Sequence, residues 1–141
     1  MVHFFCPGCW IEVKEDARRC EDCGFDLSAY QGRSFEDKLL LALRGPVRET
    51  QGMAVYLLGR LGSEKALAAF EEILASSSDP YLVRQVIEAL ALMPRPQSGK
   101  LLGRALHHPS VLVSEAARVA TAANSPLAPG GRTGRASRSE R

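Results

Sequence analysis

The sequence predicts a mostly α protein, an α-solenoid of about three helix pairs preceded by a small cysteine-bearing knuckle. Three observations carry this. All four cysteines of the 141-residue chain fall between positions 6 and 23. Residues 34–123 read as successive amphipathic segments rich in Leu and Ala, which favour helix over sheet. Within them, apolar positions recur at a fixed interval of about thirty residues.

The chain divides into a knuckle at 1–30, a helical zone at 34–123 and a tail at 124–141. Short strands are expected at 2–5 and 10–13, beside the first pair of cysteines. Helices are expected near 35–44, 47–61, 64–76, 80–93, 97–107 and 110–123. Ser34 and Asp37 form a capping box for the first, and Gly45-Pro46 stops it. Pro46 suits the first turn of the second helix, and Gly62 suits its end. Ser63 is the expected cap of the third, whose stripe Leu67, Phe70, Ile73 and Leu74 follows helical spacing. Asp79-Pro80 opens the fourth, with Val83, Ile87 and Leu90 on one face, and Pro94-Arg95-Pro96 closes it. His107-His108-Pro109 ends the fifth, and Asn124 followed by Pro126 ends the sixth.

Paired, these helices show their period. Leu43, Leu74 and Leu106 stand about 31–32 residues apart near the ends of the first helices. Leu58, Leu90 and Ala120 stand about 30–32 apart within the second helices. Such a period means that each unit buries its apolar face only against its neighbours.

The run Leu57-Leu58-Gly59-Arg60-Leu61-Gly62 and the run Asp79-Pro80-Tyr81-Leu82-Val83-Arg84 together resemble bacterial HEAT-like repeats. That family shows a Leu-Gly-x-Leu-Gly turn and an Asp-Pro-x-x-Val-Arg helix start. The resemblance covers roughly 34–123. It implies that Arg84 pairs with Asp79, and that the ladder of such pairs stops there, because Ser114 stands where the third unit would carry Arg.

The cysteines lie as Cys6-x2-Cys9, ten residues, then Cys20-x2-Cys23. Each Cys-x-x-Cys points two thiolates at one locus, and two such turns complete a tetrahedral four-sulfur shell. Gly8 and Gly24 are the residues expected to supply positive φ. The pattern resembles the short bacterial zinc-ribbon family, with Trp10 standing where that family carries Gly. One structural Zn2+ is therefore expected on Cys6, Cys9, Cys20 and Cys23. Two disulfides are the rival reading, and a rubredoxin-like iron site uses the same four sulfurs. Four cysteines close the shell, so no position remains for a catalytic water. His3 is a fifth candidate ligand that the shell does not need.

Charge narrows the functional classes. Net charge is +2, yet residues 1–30 carry −3, from Lys14, Arg18 and Arg19 against Glu12, Glu15, Asp16, Glu21, Asp22 and Asp26. The tail carries +3, from Arg132, Arg135, Arg138 and Arg141 against Glu140. Rich in Gly, Pro, Ser and Arg, it offers little to bury and is expected to be disordered. No run reaches the ~20 apolar residues of a membrane-spanning helix, and residues 1–6 do not read as a secretory signal, so a cytoplasmic location is expected. His107 and His108 suit a helix C-terminus, and the Glu71-Glu72 pair reads as a solvated face. No nucleophile–base pair or phosphate loop can be assembled, so neither an enzyme nor a small-molecule substrate is expected.

Two functions follow. The first is a non-catalytic adaptor or scaffold that binds a protein partner through the ridge of second helices. Placing the buried stripes inward leaves Met53, Tyr56, Gln85, Glu88, Glu115 and Arg118 on that ridge. The second is a nucleic-acid-binding accessory using the zinc ribbon and the arginine tail. The knuckle's negative charge opposes it, leaving at most a weak contact through the tail.

Overall fold

A computed structural model describes residues 1–94 and 96–123. The element order among these residues is β1 (Phe4–Phe5), β2 (Glu12–Val13), α1 (Leu27–Gln31), α2 (Phe35–Ala42), α3 (Arg48–Leu61), α4 (Ala66–Ser76), α5 (Pro80–Leu92), α6 (Gly99–Ala105) and α7 (Val111–Ala123). The basic tail and the expected stop at Asn124 and Pro126 lie outside the described residues.

Helices α2/α3, α4/α5 and α6/α7 form three successive pairs, as the period requires. The second helices stack in a row, α3 on α5 and α5 on α7. The middle one buries most, with Leu82, Val83, Val86, Ile87, Ala89 and Leu90 all inside. Around it, Val55, Leu58, Phe70, Leu102 and Val113 complete one continuous core. Burial of each such side chain contributes about 1.5–3 kcal/mol, and the neighbouring unit supplies much of that cover.

The helix boundaries follow local chemistry. Ser34 Oγ accepts from the Asp37 N–H at 3.1 Å. The Asp79 carboxylate accepts from the N–H groups of Tyr81 and Leu82, with Pro80 in the first turn. Gly62 ends α3 at φ 64°, its N–H reaching the Gly59 carbonyl while Ser63 N–H reaches that of Leu58. This is a Schellman end, which needs the left-handed residue.

Several details depart from the sequence reading. Pro46 precedes α3, which starts at Arg48 after a Val47 N-cap without a side-chain bond. Ser63 does not cap α4. It is 4% exposed, and its hydroxyl donates to the Glu36 carboxylate of α2 instead. A buried hydroxyl takes the nearest strong acceptor, here a carboxylate from the previous pair. The family's Asp–Arg pairing is also rearranged. Arg84 bonds Glu88 one turn on, at 3.0 Å, and Asp79 bonds Arg48 of α3 at 2.8 Å. The Asp79 pair thus crosses between units. His108 does not cap α6; its Nδ1 accepts from the Ser110 N–H at 3.0 Å, just ahead of α7.

Glu71 and Glu72 are exposed, but each has a partner in a different unit. Glu72 reaches back to Arg44, after α2, at 3.9 Å. Glu71 reaches forward to Arg104 of α6. Lys65 meets Asp37 at 3.4 Å, and Gln97 meets Glu64 at 3.1 Å. The first helices and their flanking turns are thus stitched by polar contacts, while the second helices are joined mainly by apolar packing, with the Arg48–Asp79 pair at one end. Surface pairs of this kind contribute about 0–1 kcal/mol each, so they set register more than stability.

Candidate metal centre and partner ridge

The two halves of the knuckle repeat one backbone pattern. Trp10 N–H bonds the Cys6 carbonyl at 2.8 Å and Gly24 N–H bonds the Cys20 carbonyl at 3.0 Å. Cys6 N–H returns to the Ile11 carbonyl and Cys20 N–H to that of Phe25, both at 2.9 Å. In each half the residue after the second cysteine is left-handed, Gly24 at φ 74° and Trp10 at φ 63°. Gly8 is not, contrary to expectation. A Cβ there would sit 3.2 Å from Phe25 Cδ2 and 3.3 Å from Cys23 Sγ, so any larger residue would press on both side chains.

These turns bring all four sulfurs within 4.8 Å of one another. Cys6 and Cys23 approach to 3.5 Å, and Cys9 and Cys20 to 3.7 Å. A tetrahedral site with zinc–sulfur bonds of about 2.3 Å has sulfur–sulfur edges of about 3.8 Å. The cluster therefore fits a single tetrahedral ion. All four cysteines are free rather than disulfide-bonded. Gly8 N–H also points at Cys6 Sγ, at 3.3 Å, an outer-shell bond suited to a thiolate.

Without a cation the sulfurs compete for protons. The Cys23 N–H, helped by the Asp22 N–H and the neighbouring sulfurs, overcomes desolvation and brings Cys20 down to about 7. The Ile11 N–H lowers the Cys9 thiol, but desolvation and the sulfurs of Cys23, Cys20 and Cys6 outweigh it and push Cys9 up to about 12. A divalent cation held by the four sulfurs would favour the thiolate form of each. His3 lies outside the cluster, its Nδ1 2.6 Å from Glu12 Oε1.

Only Cys6, Cys20 and Leu27 are buried beneath the knuckle, with Val13, Ala17 and Phe25 packed partly against them. This is a small core for about thirty residues. Leu27 belongs to α1, which the sequence reading missed. Asp26 caps it, accepting from the Ala29 N–H at 3.0 Å. The Asp-x-Ser-Ala start was the available signal, but five residues carry no detectable period.

The six candidate ridge residues are exposed. Met53 is 59% and Tyr56 51% exposed, and Gln85, Glu88, Glu115 and Arg118 are exposed too. All but Arg118 line two grooves that share Glu88. Met53, Tyr56, Gln85 and Glu88 line a groove of about 700 Å³ between α3 and α5, floored by Gly52 and Ala89 and closed by Leu92. Glu88 and Glu115 line a second groove of about 510 Å³ between α5 and α7, with Leu112 and Val119. Arg118 bonds Glu115 of its own helix. Leu92, Leu112 and Val119 are further lining residues that the sequence reading did not name.

Fold and site together define a short α-solenoid carrying an N-terminal four-cysteine cluster able to hold a metal ion. The chain belongs to the HEAT-repeat family, whose model, described as HEAT repeats, matches residues 36–122. The match begins beyond the last cysteine, so the knuckle rests on its own geometry. Comparison with curated proteins and with solved structures returns no match. No described helix is long and apolar enough to cross a membrane.

Proposed function

We propose that the chain is a non-catalytic adaptor, with one structural Zn2+ on Cys6, Cys9, Cys20 and Cys23 and a protein partner held on the second-helix ridge. The observation that carries this reading is the α3–α5 groove. Its rim sets the exposed side chains of Met53 and Tyr56 opposite Leu92, on the helix faces turned away from the core. Aromatic and Met side chains in a shaped concavity are the usual anchors of protein interfaces.

Three of the arginines along the second helices are already engaged, which favours a protein partner over a polyanion. Arg48, Arg84 and Arg118 each bond a carboxylate, of Asp79, Glu88 and Glu115 respectively. Phosphate binding would require breaking these pairs. A photo-crosslinking residue at position 56 should capture a discrete protein partner, whereas the same residue at exposed position 100, on a first helix, should not. Equal capture at both positions would remove the ridge from the account.

A further inference from the structure

We propose that the groove between the knuckle and the first helix pair docks the segment Pro126-Leu127-Ala128-Pro129 of a second copy of this chain. The starting point is Trp10. A bulky residue at φ 63° is a backbone outlier, and the matching place in the other knuckle holds Gly24, which adopts φ 74° without strain. The turn itself therefore needs only a glycine. Strain of this sort persists where a side chain is required, commonly at ligand clamps.

The Trp10 side chain does not serve the core beneath the knuckle, which is built from Cys6, Cys20 and Leu27. Its ring stacks on Phe5, centroids 5.9 Å apart and planes 12° apart, with Trp10 40% and Phe5 46% exposed. With Pro7, Tyr30 and Lys38, this pair lines a groove of about 270 Å³ that runs to Val47 and Thr50 at the start of α3. Aromatic-lined grooves take proline-bearing segments, whose extended form loses little entropy on docking.

Such a segment occurs in this sequence. Pro126 and Pro129 have the Pro-x-x-Pro spacing, and Arg132, Arg135, Arg138 and Arg141 follow. The two segments are opposite in net charge, the tail at +3 and residues 1–30 at −3, although Glu12, opposite Phe5 in the β1–β2 register, is bonded to His3 beside the groove and does not line it. The groove's one cation, Lys38, sits over the Tyr30 ring at 5.2 Å from its centroid.

Reach excludes the chain's own segment. Helix α7 ends at Ala123, and three residues span at most about 10 Å to Pro126. The groove lies against the start of α3, two second helices from α7, or roughly 16–20 Å at ordinary helix spacing. As second members of successive pairs, α3 and α7 run the same way, so Ala123 is at the far end as well. A 13-residue helix adds about 20 Å. The occupant must come from another copy, and the contact is head-to-tail.

The test is sedimentation equilibrium of the full metal-loaded chain over a wide concentration range, with fluorescence of Trp10, the only tryptophan, read in parallel. The wild type should pass from monomer to larger species, and its emission should shift in step. The double variant Pro126→Ala/Pro129→Ala should need at least tenfold higher concentration to associate. Trp10→Gly should do the same while keeping its metal and melting no lower. A wild type that stays monomeric with constant emission overturns the proposal, as does a double-proline variant that associates like the wild type.

Discussion

Gly59 of α3 lies directly against Ala89 of α5, so closely that a Cβ on the glycine would stand 2.7 Å from the alanine Cβ and 2.9 Å from its carbonyl oxygen. The clash is with backbone as well as side chain, so no rotamer change relieves it. Gly59→Ala should therefore destabilise the fold by about 1–3 kcal/mol, although alanine is the better helix former by about 1 kcal/mol. Gly103, inside α6, has nothing within 4 Å of its would-be Cβ. Gly103→Ala should stabilise by about 0.5–1 kcal/mol. Urea unfolding of the two variants measures both signs.

Asp79 acts twice, capping α5 and bonding Arg48 across the unit boundary. Asp79→Ala should cost about 1–2 kcal/mol, mostly from the cap. Asp79→Asn keeps a capping oxygen and should cost clearly less. Equal losses in thermal melts would assign the effect to the ion pair instead.

Elemental analysis should find one zinc per chain. A strong chelator should abolish the knuckle's signals while far-ultraviolet helical signal persists, because the core of α2 through α7 shares no buried residue with the cluster beneath the cysteines. Loss of all helical signal on chelation would show that the units fold only together.

Acid should weaken two caps. The Ala29 N–H and the Ser28 hydroxyl hold Asp26 below the ordinary carboxylate range, and Ser34 followed by Lys65 does the same for Asp37. A carboxylate depressed in the folded state stabilises it at pH above its unfolded value, and that stability is lost as pH falls through the folded one. Stability from these groups should be flat from pH 5 to 8 and decline below about pH 4. Asp37→Asn should flatten part of the decline in an acid titration followed by circular dichroism.

What the sequence made legible was whatever is set within a few residues. The Cys-x-x-Cys spacing, the Asp79-Pro80 start and the left-handed Gly62 are local, and each stands where its chemistry requires. What escaped depends on contacts between units. Nothing near Ser63 announces Glu36 as its acceptor, and nothing near Asp79 announces Arg48. Gly59 and Gly62 look alike in the Leu-Gly-x-Leu-Gly run, yet one serves a helix crossing and the other a chain reversal. Trp10 hid a left-handed backbone because propensity assigns that conformation to glycine. At the ridge, exposure was readable from helical phase, but the division into two grooves depends on how α5 sits between α3 and α7.

The adaptor reading is tested most directly by the affinity of a captured partner for Met53→Ala/Tyr56→Ala beside the wild type, with melting temperatures measured on the same samples. Both side chains are more than half exposed, so melting should barely change. Binding should weaken by about 1–3 kcal/mol for each anchor removed, at least tenfold for the pair. Undiminished affinity in the double variant, or a large fall in its melting temperature, would contradict the ridge as the binding surface.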